Sequence, residues 1–92
     1  MKVLLIDDDP DILQQGRIFL EKKRDCLDVE TANSGEEGLE KIEKKSYDAV
    51  VSDHQMPDMT GVELLKTARE NGYELPIILF TGRGREEVAM KA

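Results

Sequence analysis

Two unbroken apolar runs constrain this chain most: Val3-Leu4-Leu5-Ile6 near the start and Ile77-Ile78-Leu79-Phe80 much later. A strand with one wet face alternates apolar and polar residues, whereas these runs offer water no face at all. Strands of that kind sit inside parallel sheets, where helices cover both sides. The first run therefore demands a helix close behind it. It ends in Asp7-Asp8-Asp9, and Asp9-Pro10-Asp11 reads as a helix start. Asp9 is the cap, Pro10 takes the first helical position, and acid follows in the first turn. Ile12, Leu13, Gly16, Phe19 and Leu20 recur at helical spacing, and Lys22-Lys23-Arg24 lies where the negative helix end favours cations.

The same alternation repeats downstream. Residues 27–31 switch between apolar and polar, which predicts a strand with one wet face at a sheet edge. Ser34-Gly35-Glu36-Glu37 has capping-box spacing and opens a helix that carries Leu39 and Ile42 inward. Residues 48–53 form the third strand. Thr60-Gly61-Val62-Glu63 is a second capping box, starting a helix with Val62, Leu65 and Ala68 on one face and Asn71-Gly72 as its stop. Residues 76–81 are the fourth strand, Gly82-Arg83-Gly84 is a turn, and 85–92 begin a last helix. Strands and helices alternating over short connections predict an α/β fold with a doubly wound parallel sheet of four strands. No repeat, linker or low-complexity tract divides the chain, so residues 1–92 read as one domain.

Composition narrows the function classes. Twenty acidic residues against 13 basic ones, net −7, disfavour direct contact with nucleic acid. No run approaches membrane-spanning length and no signal-like start is present, so a cytoplasmic protein without membrane contact is expected. The single Cys26 cannot form an internal disulfide and reads as a buried or half-buried thiol in a reducing compartment.

In a parallel sheet the C-terminal strand ends share one edge, and sites form there at the point where strand order reverses. The residues delivered to that edge are Asp7 and Asp8, Asp53, and Thr81. Carboxylates that close repel one another and raise each other's pKa unless a cation neutralises them. Hard oxygen ligands in that number suit Mg²⁺, which keeps several waters and takes phosphate oxygens alongside protein carboxylates. An Asp beside such a metal can attack phosphorus, giving an acyl phosphate, with charge on the phosphoryl group offset by the metal. Thr81 offers a hydroxyl to a phosphoryl oxygen. The bland alternative has all of these residues as caps and turn formers, and for Asp9 that is the reading taken.

With these residues in view, the sequence resembles the receiver domain of two-component response regulators over its whole length. The pattern consists of the Asp7-Asp8 pair, Asp53-His54-Gln55-Met56-Pro57-Asp58-Met59-Thr60-Gly61, and Leu79-Phe80-Thr81-Gly82. The resemblance implies a flavodoxin-like receiver fold in which Asp53 accepts a phosphoryl group from a sensor histidine kinase or phosphotransfer protein. It implies that Asp8, Asp53 and the backbone carbonyl of Gln55 hold Mg²⁺, with Asp7 acting through water. Thr81 would be the switch hydroxyl, Gly82 would leave room for the phosphoryl group, and Gln55 and Arg83 would tune how fast the aspartyl phosphate hydrolyses. Such a module is a phosphoacceptor signalling domain that assists its own phosphoryl transfer, not an enzyme. Pro57 is expected to stiffen the loop and Gly61 to let the backbone turn tightly into the helix. Met56 and Met59 read as packing, and His54 as a partly exposed loop side chain.

Three departures from the family pattern stand out. Receivers have a fifth strand ending in a Lys, then a fifth helix, and the chain stops before both; the aromatic partner of the switch hydroxyl is missing with them. Thr60 stands where Asp or Asn is more usual. Strand four is then expected to present an open edge of Ile77, Ile78, Leu79 and Phe80, so that the chain is either part of a longer one or self-associates through that edge. Two other function classes compete. A Mg²⁺-dependent phosphohydrolase would want a carboxylate two residues after the nucleophile, where Gln55 stands. A phosphorylation-deficient receiver acting as a protein-interaction module should lack the acidic residues, which are intact, although the missing Lys keeps it open.

Overall fold

The computed structural model describes residues 1–23, 26–80 and, for their backbone, 89–91. Its elements are β1 (Lys2–Ile6), α1 (Pro10–Lys23), β2 (Asp28–Ala32), α2 (Gly35–Lys44), β3 (Ala49–Asp53), α3 (Gly61–Glu70), β4 (Ile77–Phe80) and β5 (Ala89–Lys91). The sheet order is β2-β1-β3-β4-β5, and the first four strands are mutually parallel as expected. The alternating strand 27–31 is indeed the edge. Strand order reverses between β1 and β3, so the crevice rule places a site beyond their C-terminal ends.

The run in β1 is buried on both faces, whereas β4 buries Ile77 and Leu79 and leaves Ile78 and Phe80 half-buried. Leu4 and Ile6 face a core shared with Ile42, Val50, Leu64, Leu65, Ala68, Ile77 and Leu79, under α2 and α3. Leu5 points the other way, to a smaller cluster with Leu13 and Val29 under α1. Met56 and Met59 belong to the first core, as packing residues. The thin cover on the α1 face leaves Phe19 59% and Ile18 50% exposed, with Ile12 also at the surface, so only part of the expected inward stripe on α1 is buried. On α3 the inward set is Leu64, Leu65 and Ala68; Val62 stands at the surface. Cys26, expected under cover, is exposed.

The caps anticipated from the sequence fix the helix starts. The Asp9 carboxylate accepts from Asp11 N–H at 2.9 Å ahead of α1. Ser34 Oγ accepts from Glu37 N–H at 3.1 Å, while the Glu37 carboxylate takes the Asn33 N–H at 2.8 Å. Thr60 and Glu63 form a complete capping box, at 3.1 and 2.9 Å. Gly72, at φ 89°, ends α3: its N–H bonds to Arg69 C=O and that of Tyr73 to Ala68 C=O, a Schellman motif that satisfies two helix-end carbonyls.

The end of the chain departs from expectation. The helix over 85–92 does not form at 89–91, which make a short strand antiparallel to β4, pairing Ile77 with Lys91, Ile78 with Met90 and Leu79 with Ala89. Strand four is therefore not an open edge, and self-association through it loses its basis. A buried-sheet strand needs partners for its N–H and C=O groups on both sides, and β4 obtains the second set from its own chain. Residues 81–88, including the remainder of the expected helix, lie outside the described residues.

Candidate functional site

The site is assembled by the register of two adjacent strands. β1 and β3 pair Leu5 with Val51 and Ile6 with Ser52, so the next residues, Asp7 and Asp53, emerge side by side at the sheet edge. Asp7 remains tied to the sheet through its N–H, which bonds to Ala32 C=O at 3.1 Å. It is 1% exposed and Asp53 8%, while Asp8 lies at the surface. A ligand oxygen from each of Asp7, Asp8 and Asp53 lies within 4.8 Å of the others. These are three of the residues that the sequence singled out.

The electrostatics are those of carboxylates gathered close together. Burial raises the pKa of Asp7 above its ordinary value, the charges of Asp53, Asp8 and Asp9 add to the rise, and a hydrogen bond from Asp9 N–H at 2.9 Å opposes it. Asp53 is raised in the same way, by burial first and by Asp8. Backbone N–H groups of Gln55 and His54, and the nearby His54 ring, pull it back. Asp7 Oδ2 is buried and, among the described residues, accepts no hydrogen bond. A buried carboxylate oxygen without a donor is costly, and a divalent cation is the species that would satisfy it together with its two neighbours. The donor set therefore fits a hard cation.

The loop after β3 is closed by backbone bonds. His54 N–H bonds to Phe80 C=O at 2.8 Å, and Gly61 N–H bonds back to His54 C=O at 2.7 Å. Gln55 and Thr60 form an antiparallel bridge across the loop. Gly61 is needed for close approach, not for an unusual turn, since its φ is not positive. A Cβ there would stand 2.9 Å from Leu79 Cδ2, 3.0 Å from Asp53 O and 3.1 Å from His54 Cα. Gln55 is exposed, and its N–H reaches Asp53 Oδ1 only at 3.5 Å. His54 is half-buried as expected, but its Nδ1 is buried without a hydrogen-bond partner. Thr81, Gly82 and Arg83 lie outside the described residues.

One contact escaped the sequence reading. Asp58 bonds across the molecule to the N–H groups of Gly35 and Glu36, at 3.2 and 2.8 Å. Partial burial pushes its pKa up, but the amides of Glu36, Gly35, Asp58 itself and Met59 together hold it below the ordinary value. No local pattern announces a pairing over such a sequence distance.

The family model for the response regulator receiver domain matches residues 3–92. The chain belongs to that family. This receiver is 38% identical over 82 residues to the cell cycle response regulator CtrA of Brucella ovis, a match covering 89% of this chain and 34% of CtrA. The chain thus spans about a third of the length of the curated relatives it matches. Among solved structures it resembles the response regulator TrrA of Thermotoga maritima in complex with Mg²⁺–BeF, at TM-score 0.81 and 31% identity over 90% of this chain and 70% of that one. It likewise matches the complex of histidine kinase ThkA with TrrA, at TM-score 0.81 and 31% identity, covering 91% and 71% of the two chains. The four-stranded parallel core is thus that of a receiver. Among the described residues, no helix is long and apolar enough to cross a membrane.

Proposed function

We propose that this receiver accepts a phosphoryl group on Asp53 from a phosphohistidine of a sensor histidine kinase or phosphotransfer protein. The observation that carries the reading is the convergence of Asp7, Asp8 and Asp53 within 4.8 Å, with Asp7 Oδ2 buried and unsatisfied. Asp8, Asp53 and the Gln55 backbone carbonyl would hold Mg²⁺ directly and Asp7 through water. When bound, the ion neutralises the carboxylates and offsets charge on the transferring phosphoryl group. A carboxylate oxygen of Asp53 attacks phosphorus, an O–P bond forms, and the N–P bond of the donor breaks with its electron pair returning to the imidazole. Burial of Asp53 keeps bulk water from the acyl phosphate. Gln55 and Arg83 would set its lifetime, Gly82 would leave room for it, and Thr81 would bond to a phosphoryl oxygen and bias the surrounding surface between two states. The ThkA–TrrA complex supports a kinase as the partner, and the Mg²⁺–BeF complex of TrrA supports the ion.

Acetyl phosphate with Mg²⁺, followed by intact-mass measurement, tests the reading. One added phosphoryl group in the wild type, lost in Asp53→Asn and on chelation of Mg²⁺, is expected. Uptake that persists in Asp53→Asn would overturn it.

A further inference from the structure

The loop joining β3 to α3 is strapped to a distant helix by a carboxylate that phosphoryl transfer itself does not use. Asp58 Oδ1 accepts from Gly35 N–H at 3.2 Å and Oδ2 from Glu36 N–H at 2.8 Å. These are the leading amides of α2, whose own cap, Ser34, serves Glu37 instead. Beside them Met59 closes onto Gly35, and a Cβ at Gly35 would overlap the Met59 thioether. Two consecutive residues at the loop tip therefore seat on one helix start. At its base the same loop is shut by the Gly61–His54 bond and the Gln55–Thr60 bridge. Asp53 and Gln55 lie in that base, so a closed loop held at both ends carries two of the proposed Mg²⁺ ligands.

We infer that Asp58 is a positioning residue: its two-point hold on the Gly35 and Glu36 amides fixes the 54–60 loop so that Gln55 and Asp53 meet the cation together. The inference rests on the reading of Asp53 and its neighbours as a Mg²⁺-dependent phosphoacceptor. A charge-assisted bond to a helix N-terminus also stabilises the helix, so a stability effect alone would not identify the role. What separates the two is the cation. A cap that only stabilises α2 leaves Mg²⁺ affinity unchanged in whatever fraction remains folded, whereas a loop released at its tip costs Mg²⁺ affinity directly. Loss of a negative charge near an acidic pocket would also weaken a cation through space. Asp58→Glu keeps that charge but displaces the acceptor, which isolates the geometry.

The test measures Mg²⁺ binding by calorimetric titration, and phosphoryl uptake from acetyl phosphate against Mg²⁺ concentration, in wild type, Asp58→Ala, Asp58→Asn and Asp58→Glu, each first checked by thermal melting. Asp58→Ala is expected to raise the Mg²⁺ half-saturation roughly tenfold, the effect typical of outer supports at metal sites, with the rate at saturating Mg²⁺ largely retained. Asp58→Asn, which keeps one acceptor, should fall between, and Asp58→Glu should not restore wild-type behaviour. If Asp58→Ala is unfolded, the Asn and Glu variants decide. Half-saturation unchanged in the folded variants, or fully restored by Glu, would overturn the inference while leaving the phosphoacceptor reading intact. A wild type with no Mg²⁺-dependent uptake would instead remove that reading, and the role of Asp58 with it.

Discussion

Asp7 directly follows β1 and Glu30 lies on the neighbouring β2, yet their carboxylates sit in opposite surroundings. Glu30, on the edge strand β2, accepts from Tyr47 Oη at 2.7 Å and from Lys45 Nζ at 3.2 Å to both oxygens. The Tyr47 hydroxyl first, then Lys45, hold its pKa below the ordinary value. Tyr47 is pushed well up in turn, by burial and by the carboxylate beside it. Asp7 has one donor, the Asp9 N–H, an orphaned second oxygen, and other carboxylates as its nearest charges. The difference separates a carboxylate built into the architecture from one left for an external partner to satisfy.

That contrast breaks most visibly at Asp7. Asp7→Asn removes a buried charge that none of the described residues pairs. It should weaken Mg²⁺ about 10–100-fold by calorimetric titration. The cation-free protein should gain stability in urea unfolding at neutral pH, because the amide carries no charge to be buried or to repel Asp53 and Asp8. Loss of stability without Mg²⁺ would show that Asp7 is a structural carboxylate after all.

Acidity sharpens the comparison, because the two environments respond with opposite sign. Asp7 and Asp53 are raised, so their favourable contribution is present below the ordinary value of 3.8 and is lost as pH rises through their folded values. Glu30 is lowered, so its contribution is present above its ordinary value of 4.5 and is lost as pH falls through the folded one. Saturating Mg²⁺ binds only the ionised site and should make the whole protein lose stability on acidification. Urea midpoints across pH, with and without Mg²⁺, check this; identical profiles would contradict it.

Smaller effects belong to the paired carboxylate. Tyr47→Phe should cost about 1 kcal/mol, the net worth of one hydrogen bond whose acceptor keeps a second donor. Lys45, with half its side chain in water, should matter least: Lys45→Ala is expected to cost under about 0.5 kcal/mol, and neither substitution should alter Mg²⁺ binding.

What the sequence revealed was local or periodic. Unbroken apolar runs marked β1, which is buried on both faces, and β4, which is buried on one face and half-buried on the other. Asp9, Ser34 and Thr60 marked helix starts because caps act within one turn. Asp7, Asp8 and Asp53 could be placed at one edge because parallel strands deliver their ends together. The misses required tertiary information. Val62 and Ile12 are apolar at helical spacing, yet both stand at the surface. The strand at Ala89–Lys91 arises from the unmet hydrogen bonds of β4, a demand invisible in its own residues. Asp58 carried no signal of its own role, because its partners lie on another element.

The central place of β1 has a consequence for the order in which the molecule can come into being. Of the strands described it is made first, yet both of its neighbours, β2 and β3, are made later. Until then a ribbon with no wet face has nothing to lie against, and contacts distant along the chain are slow to form. Asp7 likewise waits for Asp53. A growing chain therefore cannot recruit a cation to steady its apolar first strand, and an ion held at this edge reports that synthesis has passed β3 and the sheet has closed.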